Sequence, residues 1–284
     1  FIDSNLFKGN LTYGDLIIKG RTKKEVLIST YICHPSMANN ELSGPIVSTA
    51  LAKWISNLKD PYYTYRFVFI PETIGSIAYL SKHLEHLKNN VIAGFNVTCV
   101  GDDRCFSFMP SRQGNSLADR VGKHVVSSID SSFKEYSWLD RGSDERQYCS
   151  PGVNLPIATI MRSKYDEYPE YHTSLDNLSL ISPAGLKGGL DALIKAIEAI
   201  EFNCYPKVEV LGEPQLGKRG LYPETSTKES TDAVRSMMDL LTYSDGKIDL
   251  IDIAEKINCP IWELYEIVEN LVNQDLLQVS KKQT

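Results

Sequence analysis

Hydrophobic and polar residues follow two different periodicities along the first 200 residues. Short runs rich in β-branched and aromatic residues, such as Glu25–Tyr31 and Arg66–Ile70, predict buried strands. Between them, apolar residues recur every three or four positions, which predicts helices over 44–58 and 74–88. Strands that alternate with helices in this way predict a mostly parallel sheet covered by helices on both faces.

The same patterns continue through the first 200 residues. Further strands are predicted at 15–20, 91–100 and 155–161, and further helices at 117–128 and 183–199. In sheets of this kind, ligands bind at the edge where the carboxyl ends of the strands meet. We therefore expect polar side chains that directly follow strands to lie at one common edge.

The pattern changes after residue 204. Six Pro and Gly residues interrupt the next stretch, which predicts a linker with one short strand at 208–211. Helical spacing then returns around a turn at 243–246, and a last strand is predicted at 276–280. Helix, turn, helix and strand form the winged-helix pattern. We divide the chain into an α/β domain at 1–204, a linker at 205–226 and a winged-helix domain at 227–284.

Charge argues against nucleic-acid binding. The net charge is −6, and eleven acidic residues face six basic ones from Lys228 to the end. The predicted recognition helix carries Glu263, Glu266 and Glu269 and no Lys or Arg. Those carboxylates would repel DNA phosphates, so a DNA-binding regulator is disfavoured. We expect no nucleic-acid partner, and we expect the winged helix to serve in packing or in forming a homo-oligomer.

Composition restricts the class of protein further. Hydrophobic residues make up 42% and charged residues 23% of the chain, as in ordinary globular domains. No apolar run approaches the roughly 20 residues of a membrane helix, so we expect no membrane partner. Six cysteines without a Cys-x-x-Cys pair predict reduced thiols in a cytoplasmic protein.

Two histidines and one carboxylate carry the candidate chemistry. His34 and Glu72 each follow a predicted strand, and His172 lies in a short segment of Tyr, Thr and Asp residues. Neutral imidazole and carboxylate groups are the ligands that catalytic zinc prefers. Asp102 also follows a predicted strand. These residues predict a zinc site at the edge of the sheet.

The order of these motifs resembles that of the zinc aminopeptidase superfamily, which includes bacterial leucine aminopeptidases and glutaminyl cyclases. His34 is followed by the turn 40–44, which is similar to the family's Asp-x-x-Ser-Gly turn. Glu72 then follows a strand, Ser143-Asp144 resembles the family's Ser-Asp segment, and 171–173 reads Tyr-His-Thr. The resemblance covers about residues 1–200 and implies a three-layer α/β/α zinc-peptidase-like fold with a mixed sheet.

A narrower resemblance concerns the whole chain. The segments 29–45, 71–76 and 170–176, followed by an acidic winged helix, are similar to bacterial aminopeptidase-like proteins encoded near surface-polysaccharide genes. That group has an additional N-terminal part before the position of Phe1. The resemblance implies zinc ligands at His34, Asn40, Glu72, Asp102 and His172. It also implies catalytic roles for Glu72 and for Asp144, whose carboxylate would fix the tautomer of a ligating histidine.

Three positions depart from the superfamily pattern. Asn40 stands where the bridging Asp belongs, and Thr98 stands where the third carboxylate belongs. If Glu72 is the metal ligand, Pro71 occupies the place of the general base; if Glu72 is the base, the metal loses an anionic ligand. With fewer carboxylates, we expect one zinc ion at most.

Two functions remain open on these grounds. The first is a zinc-dependent hydrolase that cleaves an amide or N-terminal aminoacyl bond in a small peptide or an acylamino-sugar. Arg112 and Arg162 are candidate anchors for an acidic group of such a substrate. The second is a catalytically weakened, aminopeptidase-like binding or scaffold protein in polysaccharide biosynthesis, which the departures at Asn40, Pro71 and Thr98 favour.

Overall fold

A computed structural model of the chain describes residues 2–221 and 228–281. These residues form two compact units. The first combines the chain up to Gly122 with Ser132–Leu193, and the second combines Lys123–Ser131 with the chain from Ile194 onward. The predicted boundaries at Phe1, at 226 and 227 and at Thr284 lie outside the described residues.

A seven-stranded sheet forms the centre of the first unit. Its strands are β1 (Gly14–Ile18), β2 (Glu25–Tyr31), β3 (Thr64–Ile70), β4 (Val91–Asn96), β5 (Ser107–Met109), β6 (Lys134–Glu135) and β7 (Ile157–Met161). Their order across the sheet is β1-β3-β2-β4-β7-β5-β6. The inner strands β3, β2, β4 and β7 run parallel, whereas β1 pairs antiparallel with β3 and β5 pairs antiparallel with β7. The sheet is therefore mixed, as predicted.

Five helices accompany the sheet within the described residues. They are α1 (Ser43–Ser56), α2 (Ile74–Asn90), α3 (Leu117–Ile129), α4 (Glu145–Tyr148) and α5 (Pro183–Phe202). All but α4 are predicted by the sequence. Leu27, Val68 and Ile157 from three strands share one buried cluster with Tyr79 of α2 and Tyr148 of α4. Successive side chains in a strand point to opposite faces, so β2 and β3, buried along nearly their full length, need cover on both sides.

The opposite face of the sheet is covered closely. A side-chain carbon added to Gly122 of α3 would lie 2.7 Å from the ring of Phe108 in β5. One added to Gly44, near the start of α1, would lie 2.5 Å from the hydroxyl of Thr30 and 2.5 Å from the carbonyl oxygen of Val97. Gly44 therefore permits α1 to begin directly against the ends of β2 and β4.

The second unit contains a two-stranded antiparallel sheet and several helices. Its elements include β8 (Tyr205–Val208), α6 (Lys228–Tyr243), α7 (Leu250–Lys256), α8 (Tyr265–Asn273) and β9 (Leu277–Ser280). β8 pairs with β9, so the strand expected at 208–211 lies earlier in the chain. Part of the predicted linker thus belongs to the sheet of the winged-helix unit. Glu263, Glu266 and Glu269, within and just before α8, are all exposed.

The sequence patterns miss the two shortest strands of the large sheet. β5 has three residues and β6 has two, which is too short for a periodic pattern. The predicted strand at 91–100 is shorter in the structure because β4 ends at Asn96. Within 2–221 and 228–281, no helix is both long enough and apolar enough to cross a membrane.

Candidate active site

The inner strands β2, β3, β4 and β7 end at the same edge of the sheet because they run parallel. His34 lies three residues after β2, and Glu72 lies two residues after β3. The turn 38–42 and the loop that carries His172 complete the same surface. We call the group His34, Asn40, Glu41, Glu72 and His172 the rim site.

His34 is fixed by a buried carboxylate. Its Nδ1 lies 2.8 Å from Oε1 of Glu41, and Oε2 of Glu41 accepts the backbone N–H of Cys33 at 2.7 Å. The Glu41 side chain is only 3% exposed, and this burial raises its pKa, while the bonds from His34 and Cys33 act in the opposite direction. When Nδ1 carries the proton shared with Glu41, Nε2 of His34 is free to bind a metal ion.

His172 lies next to His34, although 138 residues separate them in the chain. Their ring centroids are 4.7 Å apart. Tyr171 stacks on the His172 ring at 3.9 Å with nearly parallel planes. His172 has a positive φ of 55°, which is uncommon for a residue with a side chain and indicates a constrained loop. The structure thus brings together the two histidines that the sequence singles out.

Asp176 holds the turn that carries Asn40. Its Oδ1 accepts the backbone N–H groups of Ala38 and Asn39, and its Oδ2 accepts that of Asn40. The hydroxyl of Tyr168 donates a further bond to Oδ2 at 3.0 Å. Asp176 is 1% exposed, so this carboxylate ties the His172 loop to the turn after His34. The sequence places Asp176 at the end of the segment 170–176 but does not predict this role.

Asn40 is buried and only partly satisfied. Its Nδ2 donates to the Tyr31 hydroxyl at 2.7 Å, and that hydroxyl lies 2.5 Å from Oγ1 of Thr98. Within the described part of the chain, Oδ1 of Asn40 has no hydrogen-bond partner. A buried amide oxygen without a partner is unfavourable, and a metal ion is one group that would satisfy it. Thr98 belongs to this hydroxyl network.

Glu72 is positioned by the Ser143-Asp144 segment. Ser143 Oγ donates to Glu72 Oε1 at 2.8 Å. Asp144 Oδ1 accepts the backbone N–H of Thr73 at 2.7 Å and the hydroxyl of Ser76 at 2.8 Å. Thr73 has a positive φ of 61°, so these bonds stabilise a strained turn. Burial raises the pKa of Asp144 to about 7.

The sequence predicts that Asp144 contacts a ligating histidine, but the structure gives Asp144 other partners. Asp144 bonds to the turn after Glu72, and the carboxylate bonded to His34 is Glu41. The sequence places Glu41 in the turn 40–44 but does not predict its contact with His34. The signal that the sequence offers is a charged residue two positions before Ser43-Gly44 of that turn.

Asp102 is occupied by other protein groups. Its oxygens accept bonds from the Asn39 side chain, from the backbone and hydroxyl of Ser163, and from the backbone of Arg104. It is 1% exposed. These bonds show that Asp102 supports the neighbouring loops. Because β4 ends at Asn96, Asp102 does not directly follow a strand in the structure.

The rim site offers donors that suit zinc. A sulfur of Cys33, a ring nitrogen of His34 and a carboxylate oxygen of Glu41 lie within 4.8 Å of one another. His172 lies beside His34. Burial raises the pKa of Tyr171, and the charges of Cys99 and Glu72 add to this effect. Imidazole nitrogens, carboxylate oxygens and the unsatisfied Asn40 oxygen fit this ion, whereas burial and nearby carboxylates raise the pKa of the Cys33 thiol and so disfavour a thiolate ligand. The sequence predicts His34, Asn40, Glu72 and His172 at this site but not Cys33.

The two arginines proposed as substrate anchors are engaged elsewhere. Arg112 donates to the carbonyl of Cys149 and to Asn154. Arg162 donates to the carbonyl of Asp102 and lies over the ring of Phe106. Both guanidinium groups therefore have structural partners.

Two known families match consecutive parts of the chain. Residues 4–203 match the family described as a domain of unknown function, DUF4910. Residues 203–279 match a winged helix-turn-helix family. A protein of Clostridium acetobutylicum described as "Putative polysaccharide biosynthesis protein with aminopeptidase-like domain" is 39% identical over 280 residues. The match covers 98% of this chain and 64% of that protein, so the chain spans a little under two thirds of its relative.

Solved structures of other proteins have a similar fold. A crystal structure of a "putative peptidase" from Clostridium acetobutylicum has a TM-score of 0.86 at 37% identity, covering 94% of this chain and 60% of that one. BSAP, a zinc aminopeptidase from Bacillus subtilis, has a TM-score of 0.53 at 19% identity, covering 66% of this chain and 48% of that one. The second likeness concerns the fold alone and agrees with the predicted zinc-peptidase-like fold.

Proposed function

Because the chain belongs to the DUF4910 family and has an aminopeptidase-like fold, we propose that it is a zinc-dependent hydrolase of amide or N-terminal aminoacyl bonds. The observation that carries this proposal is the meeting of His34 and His172, with ring centroids 4.7 Å apart, beside the buried carboxylate of Glu41. The description of the 39% identical relative as a putative polysaccharide biosynthesis protein supports a role in that process.

One zinc ion would be held by His34, His172 and Glu72, with the amide oxygen of Asn40 completing the set. Bound zinc supplies a Lewis acid that polarises a carbonyl and lowers the pKa of water. Glu41 keeps Nε2 of His34 available by accepting the Nδ1 proton. Tyr171 restricts the His172 ring by stacking on it.

Glu72 has two assignments that experiment can separate. Its Oε1 accepts a bond from Ser143, which leaves Oε2 for the zinc ion or for the proton of an attacking water. If Glu72 is a ligand, Glu72→Gln lowers zinc affinity. If it is the general base, Glu72→Gln keeps the zinc and lowers kcat. Asp144 acts as a positioning residue because it holds the turn that follows Glu72.

The test is hydrolysis of aminoacyl-anilides, dipeptides and N-acylamino-sugars by the full chain with increasing zinc. Turnover that rises with zinc to one equivalent and is lost in His172→Ala supports the proposal. His83→Ala, in helix α2, is the matched control and should keep full activity, because His83 contacts Tyr13 and Tyr79.

The second candidate is an aminopeptidase-like binding protein without turnover, favoured by Pro71 beside Glu72 and by Asn40 in place of an acid. Zinc binding to the rim site without hydrolysis of any tested amide would support it. For the winged helix, we propose a role in self-association, because its exposed Glu263, Glu266 and Glu269 oppose DNA phosphates. Light scattering of the full chain and duplex-binding measurements at physiological salt test this assignment.

A further inference from the structure

A cavity in the first unit is lined by residues outside the rim site. It has a volume of about 250 Å³ and is open to solvent. Its walls carry three cationic side chains, Arg104, Lys134 and Lys164, and one carboxylate, Glu167. Because cationic side chains outnumber the carboxylate in these walls, the cavity suits a negatively charged ligand.

Lys164 is the unusual member of this set. It is only 4% exposed, yet among the described residues it forms no ion pair. Its ammonium group donates to the carbonyl oxygen of Tyr165 at 3.0 Å and lies 4.5 Å and 5.3 Å from the ring centroids of Tyr165 and Tyr136. Aromatic rings offset part of the cost of burying a cation, but a buried ammonium group without a carboxylate remains unfavourable.

The other charges do not balance Lys164. Arg104 is already neutralised by Glu170, which accepts two bonds from its guanidinium group at 2.9 and 2.8 Å. Lys134 is exposed, and within residues 2–221 and 228–281 it has no carboxylate partner. Among the residues that line the cavity, Glu167 is the one carboxylate, so the lining side chains carry a surplus of positive charge. Asp102 lies behind this wall, where its oxygens are occupied by the backbone and hydroxyl of Ser163.

The cavity lies at the base of the loop that carries His172. Tyr168 and Pro169 line it, and the chain then continues through Glu170 to Tyr171 and His172. The hydroxyl of Tyr168 also bonds to Asp176, which holds the turn of Asn40. A group bound in the cavity therefore contacts the same segment that forms one side of the rim site.

We propose that this cavity binds an anionic group, a carboxylate or a phosphate, carried by the substrate of the rim site. The inference rests on the proposed function for the identity of the substrate, but the binding of an anion can be tested without it. The substrate class is then an anionic amide, such as an acidic peptide or a phosphorylated or uronic acylamino-sugar. Lys164 supplies a charge-assisted hydrogen bond from a buried position, and Lys134 adds attraction at the mouth.

The test is calorimetric titration of the full chain with inorganic phosphate and, separately, with acetate. We expect saturable binding of at least one anion, and a Kd that rises about tenfold or more in Lys164→Met. Lys134→Met, which changes an exposed residue and leaves the core intact, should weaken binding severalfold. Lys88→Met is the matched control, because Lys88 lines a different cavity and donates to the carbonyl of Gly152.

Each outcome decides the proposal. Acetate binding assigns a carboxylate-bearing substrate, and binding of phosphate alone assigns a phosphorylated one. Absence of binding by both anions overturns the inference, as does equal affinity in the Lys164→Met, Lys134→Met and control proteins. Binding that survives Lys164→Met but disappears in His172→Ala would place the anion at the rim site and would also overturn it. None of these readouts needs turnover, so their failure is distinct from failure of the proposed hydrolase.

Discussion

Oε1 of Glu41 lies 2.8 Å from Nδ1 of His34, within a carboxylate group that is 3% exposed. This pair sets which nitrogen of the imidazole faces outward. It also places a buried negative charge beside the donors of the rim site, where Asn40 supplies none.

Glu41→Gln tests this relationship. The amide keeps the shape of the side chain but loses its charge, so His34 is held less firmly in the tautomer that binds zinc. We expect zinc affinity to fall by about 10- to 100-fold, the usual effect of losing a carboxylate partner of a ligating histidine. Competition with a chromophoric chelator measures this change.

The control is a second carboxylate–imidazole pair in the same protein. Glu255 bonds to Nδ1 of His124 in the second unit. Glu255→Gln should leave zinc affinity unchanged. Equal loss of affinity in both variants would contradict a specific role for Glu41.

Asp176→Asn is expected to destabilise the first unit. The buried carboxylate accepts bonds from three backbone N–H groups and from Tyr168, and an amide would turn one donor toward another donor. We expect a loss of about 2–4 kcal/mol in the free energy of unfolding, measured by urea denaturation. Asp191→Asn removes an exposed ion pair with Lys187 and should change stability by less than about 0.5 kcal/mol. Similar losses in the two variants would refute the bracing role.

Asn40→Asp should lower the stability of the metal-free protein but raise its affinity for zinc. A carboxylate in this buried position lowers the stability of the metal-free protein, because an unpaired charge is costly to bury. With zinc, the same charge should raise affinity by about tenfold or more. Asn39→Asp is the control, since Asn39 already bonds to Asp102 and the change only adds repulsion. If zinc affinity rises no more in Asn40→Asp than in Asn39→Asp, position 40 does not face the ion.

Asp144 predicts a pH dependence of stability. Burial raises the pKa of Asp144 in the folded protein from 3.8 to about 7, so the folded state binds this proton more tightly than the unfolded chain. The contribution of this group to the free energy of unfolding therefore falls as pH rises from about 4 to about 7. Asp144→Asn does not titrate and should gain stability relative to the wild type over that window. Urea midpoints of the chelator-treated proteins measure the difference, and parallel pH profiles would rule out the effect.

The sequence predicts the long elements well because they carry strong periodic patterns. β2 spans the predicted residues Glu25–Tyr31, and α2 and α5 begin at the predicted positions. β8 escapes the pattern because its stability comes from pairing with β9, some 70 residues later. Pairing at that separation is a tertiary effect, which a local window does not contain.

The sequence also predicts part of the candidate site, because the predicted strands determine where that part lies. Residues directly after buried strands, such as His34 and Glu72, are placed by the fold itself. Asp102 is different, because the chain turns after β4 and three neighbouring residues occupy its oxygens. Lys164 gives no signal in the sequence, because its isolation from acidic partners depends on distant segments.

The zinc content of the protein purified without chelators or a metal-affinity tag tests the central claim most directly. The rim site predicts about one zinc per chain, lost in His172→Ala and retained in His83→Ala. No zinc in the wild type after incubation with the metal, or a full equivalent retained in His172→Ala, would contradict the account.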